Sequence, residues 1–109
     1  MIKFINMIIM PIWILLFLWL FTATAFAGNP KLGEMKFNMN CKQCHGPNGM
    51  GMASYPKVSG KDIEYTMDRL KRYRAGEEIG PNSALMIMMA KPLSDKDIEN
   101  LAAYLKDAK

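Results

Sequence analysis

Both cysteines and the single histidine of this 109-residue chain lie within five consecutive residues. Residues 41–45 read Cys-Lys-Gln-Cys-His, so the thiols of Cys41 and Cys44 are three positions apart and His45 follows directly. This spacing is typical of covalent haem attachment, in which each thiol forms a thioether with a haem vinyl group and the histidine ligates the iron. The run therefore predicts one haem per chain, with His45 as the proximal iron ligand.

Three other uses of these thiols fit less well. A thiol–disulfide exchange motif normally opens a helix after a strand, and the chain has no strand pattern. Structural zinc needs four ligands, whereas the chain offers two cysteines and one histidine. A plain disulfide suits an exported protein but leaves His45 without a role. With one histidine, the chain also has no second histidine ligand and no histidine-based triad.

The first 27 residues have the three parts of a secretory signal peptide. Lys3 precedes an uncharged, apolar run over residues 4–21, and small residues lead to Ala-Phe-Ala at 25–27. This pattern predicts cleavage after residue 27 and a location in the periplasm. The apolar run is also near the minimum length of a membrane span, so an uncleaved anchor is the alternative. Residues 1–27 are interpreted as a signal peptide and residues 28–109 as one domain.

The predicted mature domain is small and weakly charged. Loss of Lys3 lowers the formal net charge by one, from +4 to +3. Domains of about 80 residues often need a cofactor, a metal or disulfides to supplement their core. No block of five or more basic residues occurs, so nothing indicates a nucleic-acid partner.

Three segments have the end signals of helices, and no segment reads as a strand. The first, residues 29–40, opens with an Asn-Pro pair. The second, residues 62–75, has acidic residues in its first turn and basic residues in its last. The third opens at Ser94 with Asp97 three residues on, which resembles a capping box. The chain is therefore predicted to be all-α, with three main helices. Their apolar residues recur at helical spacing: Leu32, Met35 and Met39; Ile63, Met67 and Leu70; Ile98, Leu101, Ala102 and Leu105.

Two long irregular stretches separate these helices. Residues 46–61 contain four glycines and two prolines, which exclude a helix or a central strand. Residues 77–93 contain Gly-Pro-Asn and then the run Leu-Met-Ile-Met-Met at 85–89. Long loops are uncommon in compact domains and are usually functional, so we expect these two to surround the haem.

The methionine run offers candidates for a second axial ligand. Methionine often completes the coordination of an electron-transfer haem, and Met86, Met88 and Met89 all lie in this run. The same side chains are equally suited to pack against a porphyrin as soft gap-fillers. The chain has eleven methionines, so the run alone does not select the ligand.

The chain resembles the class I c-type cytochromes, in particular the short bacterial c-553 and c-4 branch. The resemblance covers residues 28–109, and the dihaem members of that branch carry two such domains, whereas this chain has one haem run. The matching segments are the haem run with Gly46-Pro47-Asn48-Gly49 after it, Tyr55-Pro56, Tyr73-Arg74-Ala75-Gly76-Glu77, and Leu93-Ser94-Asp95 with the Asp97-Ile98 and Leu101-Ala102-Ala103-Tyr104-Leu105 that follow.

The resemblance implies a small cytochrome c fold around one covalently bound haem c. In that branch the ligating methionine precedes the Leu-Ser-Asp helix start by about seven residues, which implies Met86, with Met89 as the fallback. It also implies that the Pro56 carbonyl accepts a hydrogen bond from the proximal histidine. The first helix is expected to cross the last through Gly33, Phe37 and Tyr104. The family often has Gly-Gln before the middle helix where this chain has Gly60-Lys61, so contacts of that glutamine are not carried over.

A haem with histidine and methionine on its two sides leaves no open iron position. The resemblance therefore implies a monomeric single-electron carrier rather than an enzyme, docking transiently with a redox donor and acceptor, such as a membrane oxidase or a periplasmic dehydrogenase. An open sixth position would instead indicate a peroxidase or gas binder. A further alternative is an anchored module or subunit of a larger respiratory oxidoreductase complex. Four lysines near the haem run are candidates for a docking ring: Lys42, Lys57, Lys61 and Lys91.

Overall fold

The computed structural model describes residues 28–109, so the predicted signal peptide lies outside the described residues. This part of the chain is all-α, as predicted, and its only β feature is an isolated bridge between Met52 and Tyr55. None of its helices is long and apolar enough to cross a membrane. The α-helices are α1 Pro30–Asn40, α2 Lys42–His45, α3 Ile63–Arg74, α4 Ser83–Ala90 and α5 Asp95–Asp107. A single 3-10 turn over Pro47–Gly49 is the one helical piece in the stretch over residues 46–61 that was predicted to be irregular.

Helix α1 begins where the Asn-Pro pair predicted it. The Asn29 side chain accepts hydrogen bonds from the backbone N–H groups of Lys31 and Leu32, at 3.0 and 3.2 Å. The buried residues of this helix are Gly33 and Phe37. The apolar stripe that indicated the helix is exposed instead, with Leu32, Met35 and Met39 facing solvent.

Helices α1 and α5 cross in direct backbone contact. A Cβ placed on Gly33 would overlap the Asn100 carbonyl oxygen, so only glycine permits this approach. One turn further along α1, the Phe37 ring packs on the Tyr104 ring at a centroid distance of 5.6 Å. The predicted crossing through these residues is confirmed, and it forms the centre of the hydrophobic core.

Helix α5 supplies most of that core. Ser94 and Asp97 form a reciprocal capping box at its start, with both hydrogen bonds at 3.0 Å. Capping of this kind satisfies N–H groups that would otherwise lack partners in the first turn. The predicted apolar face is fully buried, and it consists of Ile98, Leu101, Ala102 and Leu105.

Helix α3 packs against α5, and polar contacts join the end of α3 to the start of α5. Met67, Leu70 and Tyr73 of α3 pack half-buried on the core. At the end of α3 the Arg74 guanidinium donates to the Leu93 carbonyl at 3.1 Å and pairs with Asp95 at 2.6 Å. The ion pair holds the pKa of the Asp95 carboxyl below its usual value.

The prediction of an irregular stretch over residues 77–93 was wrong for its second half, where residues Ser83–Ala90 form helix α4. The buried Ser83 hydroxyl accepts hydrogen bonds from the backbone N–H groups of Ile79 and Gly80, which fixes the entry turn. The segment is apolar on all sides, so it shows no helical periodicity in the sequence. Its alanine, leucine and methionine residues nevertheless have high helix propensity.

Candidate functional site

The Cys-Lys-Gln-Cys-His run continues directly from the end of α1. Cys41 forms the junction, and its carbonyl accepts the His45 backbone N–H at 2.9 Å, closing the single turn of α2. Cys41 is half-buried and Cys44 is exposed, and the two are not joined to each other by a disulfide. Burial raises the pKa of the Cys41 thiol to about 11, with the neighbouring Cys44 adding to the effect. The turn therefore presents one sheltered and one accessible thiol beside a buried histidine.

The buried His45 ring is held by the loop that follows it. Its Nδ1 lies 2.8 Å from the Pro56 carbonyl oxygen. A carbonyl can only accept, so Nδ1 carries the proton and donates it to this bond. A neutral ring with its proton on Nδ1 has its unprotonated nitrogen at Nε2, and an unprotonated nitrogen is the form that ligates a metal.

Backbone hydrogen bonds fold the glycine-rich loop back onto the haem run. The Gly51 N–H donates to the His45 carbonyl at 2.7 Å, and the Val58 N–H donates to the Gly49 carbonyl at 2.8 Å. Gly49 has a φ of +70°, and a Cβ there would come 2.9 Å from a methyl group of Leu105. The loop thus lies between the haem run and α5, where it places Pro56 over the histidine.

A cavity of about 350 Å³ opens between these elements. Phe37, Leu101 and Leu105 form an apolar floor from α1 and α5. Cys41 and His45 line it from the haem run, and residues of helices α3 and α4 line it from the other elements. The loop over residues 46–61 completes the lining with Pro56, Lys57, Val58 and Lys61.

Of the three methionine candidates, only Met86 reaches this cavity. Its side chain is half-buried on α4. Met88 and Met89 are 62% and 40% exposed and do not line the cavity. Helix α4 therefore turns one thioether towards the cavity and leaves the other two facing solvent.

Three cations line the same cavity, and sequence reasoning found only two of them. Lys57 and Lys61 were expected near the haem, but Arg69 was not. The Tyr65 ring lies between two of these cations, 5.9 Å from Lys61 Nζ and 5.3 Å from the Arg69 guanidinium carbon, within the range of cation–π contacts. The four-residue spacing of Lys61, Tyr65 and Arg69 was the signal that would have revealed this cluster. The other two predicted docking lysines, Lys42 and Lys91, are exposed and lie outside the cavity lining.

The donor set of this cavity fits a covalently attached haem. An unprotonated imidazole nitrogen and a thioether are both haem-iron ligands, and His45 and Met86 line one cavity. The apolar floor suits a porphyrin ring, and the cations suit its two carboxylates. A zinc site does not fit, because no group of three or more His, Cys, Asp or Glu side chains in residues 28–109 is arranged to hold a metal ion.

Comparison with known proteins agrees with this chemistry. A family model described as cytochrome c matches residues 30–109. The chain belongs to the cytochrome c family. It falls in the c4 and c-55x branch of the class I c-type cytochromes, as the sequence resemblance implied. The cytochrome therefore carries covalently bound haem c, and its Cys-x-x-Cys-His run is the matching attachment motif.

Among curated relatives, cytochrome c-554(548) of Halomonas halodenitrificans is 44% identical over 79 residues, which cover 72% of this chain and 94% of the relative. The thiosulfate dehydrogenase electron acceptor of Thiomonas intermedia is 39% identical over 72 residues, covering 64% of this chain and 32% of that protein. Reduced cytochrome c4 from Pseudomonas stutzeri superposes with a TM-score of 0.63 at 29% identity, covering 75% of this chain. The cytochrome spans half the length of that structure.

Proposed function

We propose that this cytochrome is a one-electron carrier whose haem is attached through Cys41 and Cys44 and ligated by His45 and Met86. The observation that carries the proposal is the shared cavity of His45 and Met86, to which neither Met88 nor Met89 contributes. The haem iron supplies a one-electron couple when bound. If His45 and Met86 both hold the iron, no iron site would remain for a substrate, so the proposed role is transfer rather than catalysis.

The haem run and the glycine-rich loop that follows it would together hold the haem in a fixed position. Two thioethers fix the ring, and the Pro56 carbonyl fixes the orientation and tautomer of His45. A hydrogen bond of this kind also raises the basicity of the ligating nitrogen. A ligand that is already oriented changes little between oxidised and reduced states, which favours fast electron transfer because little reorganisation is needed.

Met86 and the apolar floor would both favour the reduced, ferrous haem and so raise its reduction potential. A thioether is a soft ligand that favours ferrous iron and raises the reduction potential. Phe37, Leu101 and Leu105 keep water from the inner part of the cavity, which further disfavours the more highly charged ferric form.

The cations in and around the cavity support two roles, namely binding of the haem carboxylates and steering of partner proteins. Lys57, Lys61 and Arg69 form no ion pair within residues 28–109, so their charge is available to the haem carboxylates. Exposed Lys42 and Lys91 would add steering of partner proteins. A relative is named an electron acceptor of thiosulfate dehydrogenase, which supports another redox protein as the partner class, docking transiently.

The proposed location is the bacterial periplasm, with residues 28–109 as the cytochrome domain and residues 1–27 as a removed signal peptide. The proposal is tested on the exported holoprotein. We expect a redox titration to follow a single one-electron curve, and the reduced protein to bind no carbon monoxide. Carbon monoxide binding by the unmodified reduced protein would mean an open iron position and would contradict the carrier role.

A further inference from the structure

The exposed ring of Tyr55 lies against the buried ring of His45. The two ring centroids are 6.5 Å apart and the ring planes are inclined at 69°, which is an edge-to-face contact. Aromatic rings with centroids about 4.5–7 Å apart favour this arrangement. Tyr55 is 39% exposed and lies outside the hydrophobic core, so core packing does not explain why its ring contacts the histidine.

The backbone that carries Tyr55 is fixed relative to His45. The Gly51 N–H donates to the His45 carbonyl at 2.7 Å, so Gly51 is bonded to the histidine itself. Gly51 has a φ of +91°, and a Cβ there would lie 3.3 Å from the Tyr55 carbonyl oxygen and 2.9 Å from the Lys57 nitrogen. The segment from Tyr55 to Lys57 therefore packs directly against a glycine that is held by His45.

A tight turn fixes the point from which the Tyr55 side chain projects. Met52 and Tyr55 exchange two backbone hydrogen bonds, at 3.2 and 3.0 Å, and form the isolated β bridge. Ala53 inside the turn has a φ of +52°, a left-handed conformation that is uncommon for a residue with a side chain. Such a conformation persists only where the surrounding structure holds it, so the turn is a well-defined support for the Tyr55 ring.

The hydrogen bond to Pro56 does not by itself fix the plane of the His45 ring. The Pro56 carbonyl oxygen lies 2.8 Å from Nδ1, but carbonyl oxygens accept hydrogen bonds over a broad range of directions. The torsion that turns an imidazole about its Cβ–Cγ bond also has no sharply preferred value. A second contact on the ring is therefore needed to set its tilt, and the edge-to-face contact with Tyr55 is placed to do so.

We infer that Tyr55 is a positioning residue that fixes the plane of the His45 imidazole, while Pro56 fixes its Nδ1–H. Two neighbouring residues then act on one ring through two different contacts, a ring contact and a hydrogen bond. The inference rests on the proposed function, in which His45 ligates the iron, and it names what sets the orientation of that ligand.

The test uses NMR spectra of the exported holoprotein and two substitutions of Tyr55. In the oxidised protein, the plane of an iron-bound imidazole sets the order and spread of the haem methyl resonances. Tyr55→Phe keeps the ring and should leave that pattern unchanged, whereas Tyr55→Leu removes the ring and should change it. In the reduced protein, Tyr55→Leu should speed hydrogen exchange of the His45 Nδ1–H about two- to tenfold, because the ring contact no longer opposes opening of the hydrogen bond.

The matched control is Met52→Leu. Met52 is exposed and shares the bridge with Tyr55, and the bridge is formed by backbone atoms that the substitution keeps. The control should leave the methyl pattern and the exchange rate unchanged. The inference is overturned if Tyr55→Leu matches the unmodified protein in both readouts, or if Met52→Leu changes them as much as Tyr55→Leu does.

If Tyr55→Leu does not accumulate, nuclear Overhauser effects in the unmodified reduced protein decide. Cross-peaks between the ring protons of Tyr55 and His45 support the inference, and their absence would overturn it. Failure of the proposed function is a separate outcome, because a histidine that does not ligate the iron would lack ring resonances shifted by the haem in every variant.

Discussion

The imidazole of His45 and the carbonyl of Pro56, eleven residues apart, are joined by a hydrogen bond of 2.8 Å. The bond links the proposed proximal ligand to the far side of the glycine-rich loop, so the loop and the imidazole behave as one unit. Any substitution that shifts the loop should therefore alter the ligation of the haem iron, even when the haem run itself is unchanged. The same relationship gives a proline a use here, since its fixed φ restricts the backbone that carries the accepting carbonyl.

Replacement of Met86 by alanine should remove the distal ligand. We expect the reduction potential to fall, the methionine–iron absorbance band of the oxidised protein to disappear, and the reduced protein to bind carbon monoxide. Met88→Ala and Met89→Ala are matched controls on the same helix, because both side chains are exposed. An unchanged Met86→Ala spectrum together with an altered Met89→Ala spectrum would move the ligand to Met89.

Loss of both thiols should prevent folding. The double variant Cys41→Ser and Cys44→Ser cannot form thioethers, and the cavity of about 350 Å³ would be left without its apolar filling. Because a domain of this size has a marginal core, we expect a largely unfolded chain by far-ultraviolet circular dichroism. Unmodified apoprotein prepared without haem is the control and should be equally unfolded. A helical, cooperatively melting double variant would show that the fold does not depend on haem.

Gly33→Ala should weaken the contact between α1 and α5. The new methyl group would overlap the Asn100 carbonyl, and overpacking of this kind costs about 1–3 kcal/mol. Gly80→Ala is the control, because a Cβ there meets no atom within 4 Å and its φ is not in the left-handed region. Denaturant unfolding of the two holoproteins measures the difference. Equal free energies of unfolding would contradict a close helix crossing.

Asp97→Asn should make the stability of the domain less dependent on acid pH. The hydrogen bond from the Ser94 backbone N–H holds the pKa of Asp97 below its usual value. A lowered folded-state pKa contributes stability above the unfolded pKa of about 3.9 and loses it as the pH falls through the folded value. We expect a loss of up to about 1 kcal/mol at pH 7 that disappears in strong acid.

The control for this substitution is Glu78→Gln, which removes one exposed negative charge outside any helix. Its free energy of unfolding should follow that of the unmodified protein over the same pH range. A loss from Asp97→Asn that persists undiminished in strong acid would mean that the charge of the capping carboxylate is not what stabilises α5.

The features that the sequence predicted are those encoded locally. The haem run, the Asn29 cap and the Ser94 capping box each depend on residues a few positions apart, and all appear in the structure where expected. Helix α4 escaped prediction because its residues are apolar on every side and carry no period. The apolar spacing of α1 indicated the wrong face, because Gly33 has no side chain and contributes nothing to an apolar pattern. The correct packing face, with Gly33 and Phe37, came from the family resemblance.

The parts of the candidate site whose residues lie close together in the sequence were predictable from it. The position of Pro56 came from the family resemblance, and the structure shows the corresponding hydrogen bond. The methionine run alone left three candidates, because which thioether turns inward depends on how α4 lies against α3; Met86 was implied only by the family resemblance. Arg69 was missed although its four-residue spacing from Tyr65 and Lys61 places the three side chains on one side of the chain, because only lysines close to the haem run in sequence were considered.

The packing of α1 on α5, which includes a hydrogen bond of 2.7 Å from the Asn29 N–H to the Asn100 side chain, has a kinetic consequence. A ribosome delivers the chain from its N-terminus, so α1 emerges long before the turn of α5 that it packs against, 71 residues later. During that interval the inner face of α1 has no partner, and the thiols that follow it remain accessible. Closing so long a loop is slow, because the entropic cost precedes the contacts that compensate for it. Local contacts around the haem run can therefore form before α1 packs on α5.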